Sequence, residues 1–341
     1  MPTCWRTLVS NVRAFSMVVL AALPAACGPY SPIEPTVSLS RVPSPTPRAT
    51  PIADAPTPAS TVASVPAIDG TMAVAASATP APAILETGAK VDVGGYQLYV
   101  RCTGQGTPPA VFDAGASGWS SVWYDVEPKV AAFTKACVYD RANRGQSDRG
   151  PIPNTSKQMV RDLHTLLANV HMGGPFVLVG QSFGGMNMGL YARLYPTESA
   201  GLVMVDAVHE AAYVDQAITP CPTVCHGVDF TESGRQVQAA PPMPDIPLVV
   251  LQHGVPGLVS PDMESHWAAW QQDLASRSSH GKLIIAERSS HNIQYGQPEL
   301  VVAAIQEIVK QERLREAADP QDRFTPVPSA ASYICCEAAS S

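Results

Sequence analysis

In Val177-Leu-Val-Gly-Gln-Ser-Phe-Gly-Gly185, an apolar strand pattern leads directly into Gly-x-Ser-x-Gly and then into a helix-compatible segment. Ser182 would lie on a sharp strand-to-helix turn, where Gly180 and Gly184 carry no β-carbon that could clash with neighbouring backbone. The free N–H groups at the start of the following helix favour negative charge beside the serine. The pattern therefore predicts a nucleophilic Ser182, with the Phe183 N–H as the first donor to an oxyanion.

Around this stretch, short β-branched runs alternate with amphipathic segments. The runs predict strands over 97–101, 110–114, 136–139, 176–179, 202–205, 248–252 and 282–286. Apolar residues at helical spacing predict helices over 156–171, with Ser156 as the N-cap, and over 298–310. Strands that alternate with helices imply an α/β fold, with a mainly parallel sheet and helices on both faces.

The N-terminal segment has a composition of its own. Residues 1–26 carry Arg6 and Arg13 and then an apolar run that ends in small residues, which is typical of a secretory signal and too short to cross a membrane. Cys27 follows directly, so the segment resembles a bacterial lipoprotein signal in which this cysteine is lipidated, although Pro24 departs from that pattern. We therefore expect an exported protein, either anchored to a membrane through Cys27 or secreted.

The composition also divides the rest of the chain. Residues 27–87 contain twelve prolines between Pro29 and Pro82 and are rich in Ala, Ser and Thr, so they cannot bury a core and should form a flexible tether. The catalytic domain is expected over 88–316, with an insertion at about 207–246 that would cover the strand ends as a small cap, and a polar tail over 317–341. A net charge of -7 without a Lys/Arg cluster argues against a nucleic-acid partner.

Cysteine usage supports export. The chain has eight cysteines, more than is usual for a cytosolic protein. Cys102 and Cys137 lie in strand segments that could be neighbours, and Cys221 and Cys225 lie in the insertion. We expect two disulfides rather than metal ligands, since no second Cys/His pair has zinc spacing, and we expect no metal or cofactor. Cys335 and Cys336 lie in the tail and are not assigned.

A serine hydroxyl is a weak nucleophile and needs a base within hydrogen-bond reach, with a carboxylate to orient that base. His291 follows the last predicted strand in Ser-Ser-His-Asn-Ile-Gln, where a histidine can project over the sheet edge. The other histidines are placed less favourably, in helical or cap segments or, like His253 and His280, near strand ends. We therefore predict His291 as the general base.

Several segments together resemble the α/β-hydrolase superfamily, over about 90–315. They are the Gly-x-Ser-x-Gly turn, Asp113-Ala-Gly, Val205-Asp-Ala, Ser290-His-Asn-Ile-Gln, and the loop from Tyr139 to Asp148, which is similar to Asp-x-x-Gly-x-Gly-x-Ser with Asn143 at the first glycine. That loop is structural in the family, and no catalytic role is assigned to it. The detailed run is similar to a subgroup of exported bacterial serine hydrolases, esterase-like proteins of mostly undefined substrate.

The acid of the triad has more than one candidate. In much of this fold it follows the strand after the cap, in a pattern like His-Gly-x-x-Asp, but here the segment reads His253-Gly-Val-Pro-Gly257 and a glycine takes its place. The preceding strand ends in Val-Asp206-Ala, at a position where some members of the fold carry the acid. We favour Asp206, and Asp262 and Glu264 remain alternatives.

The loop after the predicted strand 110–114 should supply the second oxyanion donor. Its Gly115-Ala116 step corresponds to the loop that donates a backbone N–H in the family, which makes Ala116 the candidate, with an ordinary glycine-rich turn as the alternative. Trp119 and Trp123 follow closely. They either wall an acyl pocket or belong to the core.

The resemblance implies a two-step hydrolysis of carboxylic esters without a cofactor, by Ser182, His291 and Asp206, on small-molecule substrates with small or medium acyl groups. The same triad could serve acyl transfer, amide hydrolysis, or peroxyacid formation as in perhydrolases and haloperoxidase-like proteins. A protein of another class would also fit the fold, a tethered hydrolase scaffold that binds a ligand without turnover.

Overall fold

One sheet organises the computed structural model, which describes residues 84–215, 227–257 and 260–318. Within these residues, eight strands have the order β1-β2-β4-β3-β5-β6-β7-β8. They are β1 (Ala89–Asp92), β2 (Gln97–Thr103), β3 (Ala110–Asp113), β4 (Ala136–Tyr139), β5 (Phe176–Gln181), β6 (Ser199–Val205), β7 (Leu248–His253) and β8 (Gly281–Ala286). The β1–β2 and β2–β4 pairs are antiparallel, and all other neighbours are parallel.

Helices follow most of the strands. In the described residues they are α1 (Ile84–Thr87), α2 (Glu127–Ala131), α3 (Ser156–Asn169), α4 (Phe183–Leu194), α5 (Ala211–Val214), α6 (Phe230–Gln238), α7 (Pro261–Ser276), α8 (Ile293–Gly296) and α9 (Pro298–Ala318). Two short 3-10 turns lie at Ser120–Trp123 and Pro196–Glu198. Parallel neighbours need a long crossover connection, and in this sheet the crossovers between parallel strands contain helices.

The core lies in two layers, one on each face of the sheet. Successive residues of β5 alternate between them, since Leu178 packs into one cluster and Val179 into the other. The first cluster includes Leu163 of α3 and Trp267 of α7, and the second includes Ile305 of α9. A mainly parallel sheet buried on both faces by helices confirms the predicted fold class.

All seven predicted strands are confirmed, and both predicted helices form. β1 escaped prediction because its side chains alternate between partly buried and exposed positions and form no apolar run. The prediction of Ser156 as an N-cap was wrong. The N-cap is Thr155, and the Ser156 hydroxyl instead donates to Asn187 Oδ1 at 2.7 Å, because both side chains are buried.

The disulfide predicted between Cys102 and Cys137 is confirmed. The two residues are direct partners in the antiparallel β2–β4 pair, so the bond crosses two neighbouring strands of the sheet. It ties the antiparallel edge of the sheet to its parallel part.

Other predictions concern residues outside the described ranges. These are the signal segment 1–26 with Cys27, most of the tether 27–87, the pair Cys221 and Cys225, and most of the tail 317–341. The described part of the insertion contains α5 and α6. Among the described residues, no helix combines the length and the apolar character that crossing a membrane would require.

Candidate active site

Ser182 lies at the junction of β5 and α4 with φ 54° and ψ -122°. Its N–H donates to the Val205 carbonyl at 3.0 Å, and its own carbonyl accepts from the Val208 N–H at 3.1 Å, so the turn is fastened to the end of β6. A non-glycine residue in such a conformation costs of the order of 1–3 kcal/mol, and it persists only where its surroundings impose it. The strained strand-to-helix turn places the serine at the C-terminal edge of the parallel sheet.

The glycines of the motif permit this turn by their lack of a side chain. A β-carbon at Gly180 would lie 2.4 Å from the Gly184 carbonyl oxygen, and one at Gly184 would lie 2.5 Å from the Ala114 carbonyl oxygen. Both distances are far below van der Waals contact, so neither position accepts another residue without movement of the backbone. This confirms the steric reason given for these glycines.

Two segments that carry candidate oxyanion donors lie next to Ser182. Phe183 is the first residue of α4, so its N–H has no acceptor within the helix. The loop after β3 lies against the serine, because a β-carbon at Gly115 would lie 3.4 Å from Ser182 Cβ and 2.4 Å from Gln181 Oε1. Ala116 follows in this loop, which places both predicted oxyanion donors in segments adjacent to Ser182.

Asp206 and His291 are brought together by the fold. Asp206 follows β6, is 0% exposed, and accepts a hydrogen bond at 2.7 Å from His291 Nδ1 on its Oδ2 atom. The two alternative acids lie elsewhere. Asp262 is exposed in the first turn of α7, and Glu264 contacts a different histidine, His253.

His291 lies beside the serine turn. Its carbonyl oxygen accepts from Gln181 Nε2 at 3.5 Å, directly before Ser182 in the chain. No hydrogen bond joins the Ser182 hydroxyl to His291, both of which lie in the described part of the chain. In enzymes, contacts between nucleophile and base often tighten only when substrate binds.

A second histidine shares the Asp206 carboxylate, and sequence reasoning missed it. His253, the last residue of β7, contacts Asp206 Oδ2 through Nδ1 at 2.8 Å, and its Nε2 contacts Glu264 Oε2 at 2.9 Å. The other carboxylate oxygen, Oδ1, accepts from Trp267 Nε1 at 2.9 Å and from the His253 N–H at 3.1 Å. Asp206 therefore accepts four hydrogen bonds and is held in one orientation.

These contacts determine the protonation of Asp206 and His253. Burial alone would raise the pKa of Asp206, but hydrogen bonds from His253 and His291 hold that pKa below its usual range. The hydrogen bond to Asp206 outweighs burial and, with Glu264, raises the pKa of His253 to about 9. At neutral pH Asp206 is an anion, and His253 is a cation between two carboxylates.

This raised pKa predicts a pH dependence of stability. A group whose folded-state pKa is raised stabilises fully below its unfolded pKa, here about 6.5, and loses that stabilisation as pH rises through about 9. We expect His253→Gln to lose roughly 3 kcal/mol of stability at pH 6 relative to wild type, and much less at pH 10. Thermal unfolding of both proteins from pH 6 to pH 10 measures the difference.

A matched control is His266→Gln, since His266 is an exposed histidine on α7. Its unfolding curve should run parallel to that of wild type across the whole range. A constant difference between His253→Gln and wild type from pH 6 to pH 10 would contradict the protonated state of His253.

The aromatic residues near the site divide between core and surface. Trp123 is fully buried and packs on Phe112 with ring centroids 5.2 Å apart, so it belongs to the core. Trp119 is 45% exposed beside the loop after β3. From the described part of the predicted cap, the rings of Tyr213 and Phe230 lie 6.2 and 5.1 Å from the Phe183 ring. The insertion therefore contacts the serine turn through Phe183.

The sheet order, the strained serine turn and the helices on both faces define the α/β-hydrolase fold, and the chain has this fold. Residues 111–221 match the family model described as alpha/beta hydrolase fold. The sequence is 26% identical over 216 residues to the uncharacterized protein YqjL of Bacillus subtilis strain 168, which covers 58% of this chain and 82% of YqjL.

Solved structures show the same architecture at low sequence identity. An esterase from Thermogutta terrifontis, with malate bound, is 18% identical with a TM-score of 0.51, over 66% of this chain and 98% of the esterase. The enol-lactonase from Burkholderia xenovorans LB400 is 14% identical with a TM-score of 0.50, over 65% of this chain and 100% of the lactonase. At such identities the likeness concerns the fold.

Proposed function

We propose that this protein is a serine hydrolase that cleaves carboxylic esters through an acyl-enzyme intermediate. Ser182 Oγ attacks the ester carbonyl carbon while His291 Nε2 takes the hydroxyl proton. Asp206 accepts a hydrogen bond from His291 Nδ1 at 2.7 Å, which leaves Nε2 as the basic nitrogen and stabilises the imidazolium that forms. The N–H groups of Phe183 and Ala116 bind the oxyanion of the tetrahedral intermediate.

The remaining steps use the same residues, with His291 acting first as an acid and then as a base. His291 donates its proton to the leaving alcohol oxygen as the carbon–oxygen bond breaks, which leaves the acyl group on Ser182. It then takes a proton from water, whose oxygen attacks the acyl carbon, and a second tetrahedral intermediate collapses to the free acid and Ser182.

One observation carries this proposal. A strained serine at φ 54° lies on a strand-to-helix turn next to a histidine that a wholly buried carboxylate holds at 2.7 Å. Strain at a residue with a reactive side chain is a feature of functional sites, and a buried ion pair alone would not require it. The esterase and enol-lactonase among the similar structures support the same class of reaction, acyl transfer to water.

Two further parts of the proposal, the size of the acyl group and the location of the enzyme, have support of their own. The short insertion, which contacts Phe183 through Tyr213 and Phe230, favours small or medium acyl groups. The signal-like segment 1–26, Cys27 and the proline-rich tether favour an exported enzyme held at a surface by a lipid, in the manner of exported bacterial hydrolases.

Hydrolysis of p-nitrophenyl esters by the full chain tests the proposal. We expect kcat/KM to be highest for acetate or butyrate and to fall about tenfold or more for laurate, because a long chain would have to displace the packed insertion. A preference for laurate would contradict the proposed acyl size. Absence of turnover on every ester, with the protein folded, would contradict the proposed function.

A further inference from the structure

Arg141 is a buried arginine next to the proposed oxyanion loop. It follows β4 and is only 4% exposed. One guanidinium nitrogen, Nη1, donates to the Ala114 carbonyl at 2.6 Å and to the Asp113 carboxylate. The other, Nη2, donates to the Gly115 carbonyl at 2.6 Å and reaches the Ala116 carbonyl at 3.4 Å. Three successive carbonyls of the loop therefore face one guanidinium.

This contact fixes the direction of a backbone donor. The peptide between Gly115 and Ala116 is trans, since the cis bonds in the described residues all precede proline. In a trans peptide the carbonyl and the N–H lie in one plane and point in opposite directions. Because Arg141 holds the Gly115 carbonyl, the Ala116 N–H must point away from the guanidinium.

Arg141 also contacts the segment that carries the other proposed donor. Its guanidinium carbon lies 5.8 Å from the centroid of the Phe183 ring, on the residue after Ser182. Asp113 extends the contact, because its Oδ2 atom accepts from Asn187 Nδ2 of α4 at 3.1 Å. The loop after β3 and the start of α4 are thus joined by one buried polar network.

We propose that Arg141 is a positioning residue of the oxyanion hole, which turns the Ala116 N–H toward the developing oxyanion and holds it in register with the Phe183 N–H. The inference rests on the proposed function. Arg141 is not placed at the reacting atoms, because the four hydrogen bonds of its two terminal nitrogens go to Asp113 and to the loop carbonyls. The planar guanidinium group of arginine can donate to two neighbouring acceptors at once, which the ammonium group of lysine cannot do with the same geometry.

The variant Arg141→Lys tests this role, because lysine keeps the charge opposite Asp113 and loses the planar guanidinium group. We expect kcat for p-nitrophenyl butyrate to fall about 100-fold with KM changed less than about threefold, since an oxyanion donor acts in the transition state. Affinity for a trifluoromethyl ketone, whose serine adduct carries an oxyanion, should fall by a similar factor. Affinity for the product butyrate should not change.

The control is Arg101→Lys, in which a second arginine paired with a buried carboxylate, Glu127, is changed in the same way away from the site. It should lose stability and keep kcat. The double variant Arg141→Gln/Asp113→Asn removes both charges of the pair and covers the case in which Arg141→Lys does not fold, because it leaves no unpaired buried charge.

The outcomes separate the two proposals. If Ser182→Ala is inactive but a folded Arg141 variant keeps kcat and inhibitor affinity, the role of Arg141 is overturned and the proposed function stands. If neither Arg141 variant folds, Arg141 serves stability and the inference is overturned as well. Full activity of Ser182→Ala would overturn the proposed function and this inference with it.

Discussion

Replacing Ser182 by alanine is expected to lower kcat for p-nitrophenyl butyrate by about 10⁴-fold or more, because the acyl-enzyme cannot form without the hydroxyl oxygen. The fold should remain intact, since alanine keeps the β-carbon and removes a hydroxyl that has no hydrogen bond to His291. A fluorophosphonate that labels serine nucleophiles should modify wild type and leave Ser182→Ala unlabelled. Steady-state kinetics and intact mass together measure both effects.

Glycine at the same position separates chemistry from strain. Ser182 has φ 54°, where glycine has no steric penalty, so Ser182→Gly should be inactive yet more stable than Ser182→Ala. Relief of about 1 kcal/mol corresponds to a rise in Tm of about 2–4 °C for a domain of this size. A matched serine, Ser276, lies exposed at the end of α7, and Ser276→Ala should keep full activity. Turnover by Ser182→Ala at the wild-type rate would contradict the nucleophile.

The sequence predicted the central strands of the sheet because these strands are buried on both faces. Such strands appear as continuous apolar runs, and those of β5 and β6 are buried along their full length. β1 at the sheet edge lacks this signal, since its side chains are only partly buried or exposed. The residues of the candidate triad could also be predicted from the sequence, because chain order and strand ends restrict where a base and an acid can lie.

The buried polar contacts of Arg141 and His253 were harder to predict from the sequence. Arg141 contacts the loop after β3 only because β3 and β4 are neighbours in the sheet, which requires the sheet order. The sequence did contain a signal for His253, because it directly follows the predicted strand 248–252, as Asp206 follows the predicted strand 202–205. These two strands are parallel neighbours, so both residues lie at the same edge of the sheet. Because a glycine occupies position 257, where the family pattern has the acid, the sequence predicted no role for the histidine that begins the same segment.

The second large effect is expected for Asp206→Asn, with kcat lowered about 10³- to 10⁴-fold and KM little changed. An ionised carboxylate has two acceptor oxygens, whereas an amide has one oxygen and one donor group. In Asp206, Oδ2 accepts from His253 and His291, and Oδ1 accepts from Trp267 and a backbone N–H. An asparagine therefore places its NH₂ group against N–H donors in either orientation.

Both orientations of the amide damage catalysis or stability. With the NH₂ group toward the histidines, His291 must present an unprotonated Nδ1, so its Nε2 carries the proton and cannot act as the base. With the NH₂ group toward Trp267, a buried indole N–H loses its acceptor, at a cost of about 1–3 kcal/mol, and the variant unfolds at a lower temperature. Measurement of kcat together with Tm distinguishes the two orientations.

The alternative acids supply the controls for this prediction. Asp262→Asn changes an exposed carboxylate on α7 and should keep wild-type kcat. Glu264→Gln removes the negative charge beside His253 Nε2, so it should lower the Tm. It should change kcat little, because Glu264 reaches Asp206 only through His253. An active Asp206→Asn beside an inactive Asp262→Asn would move the acid to α7. Since Asp206 is the carboxylate that His291 contacts at 2.7 Å, we expect the opposite order.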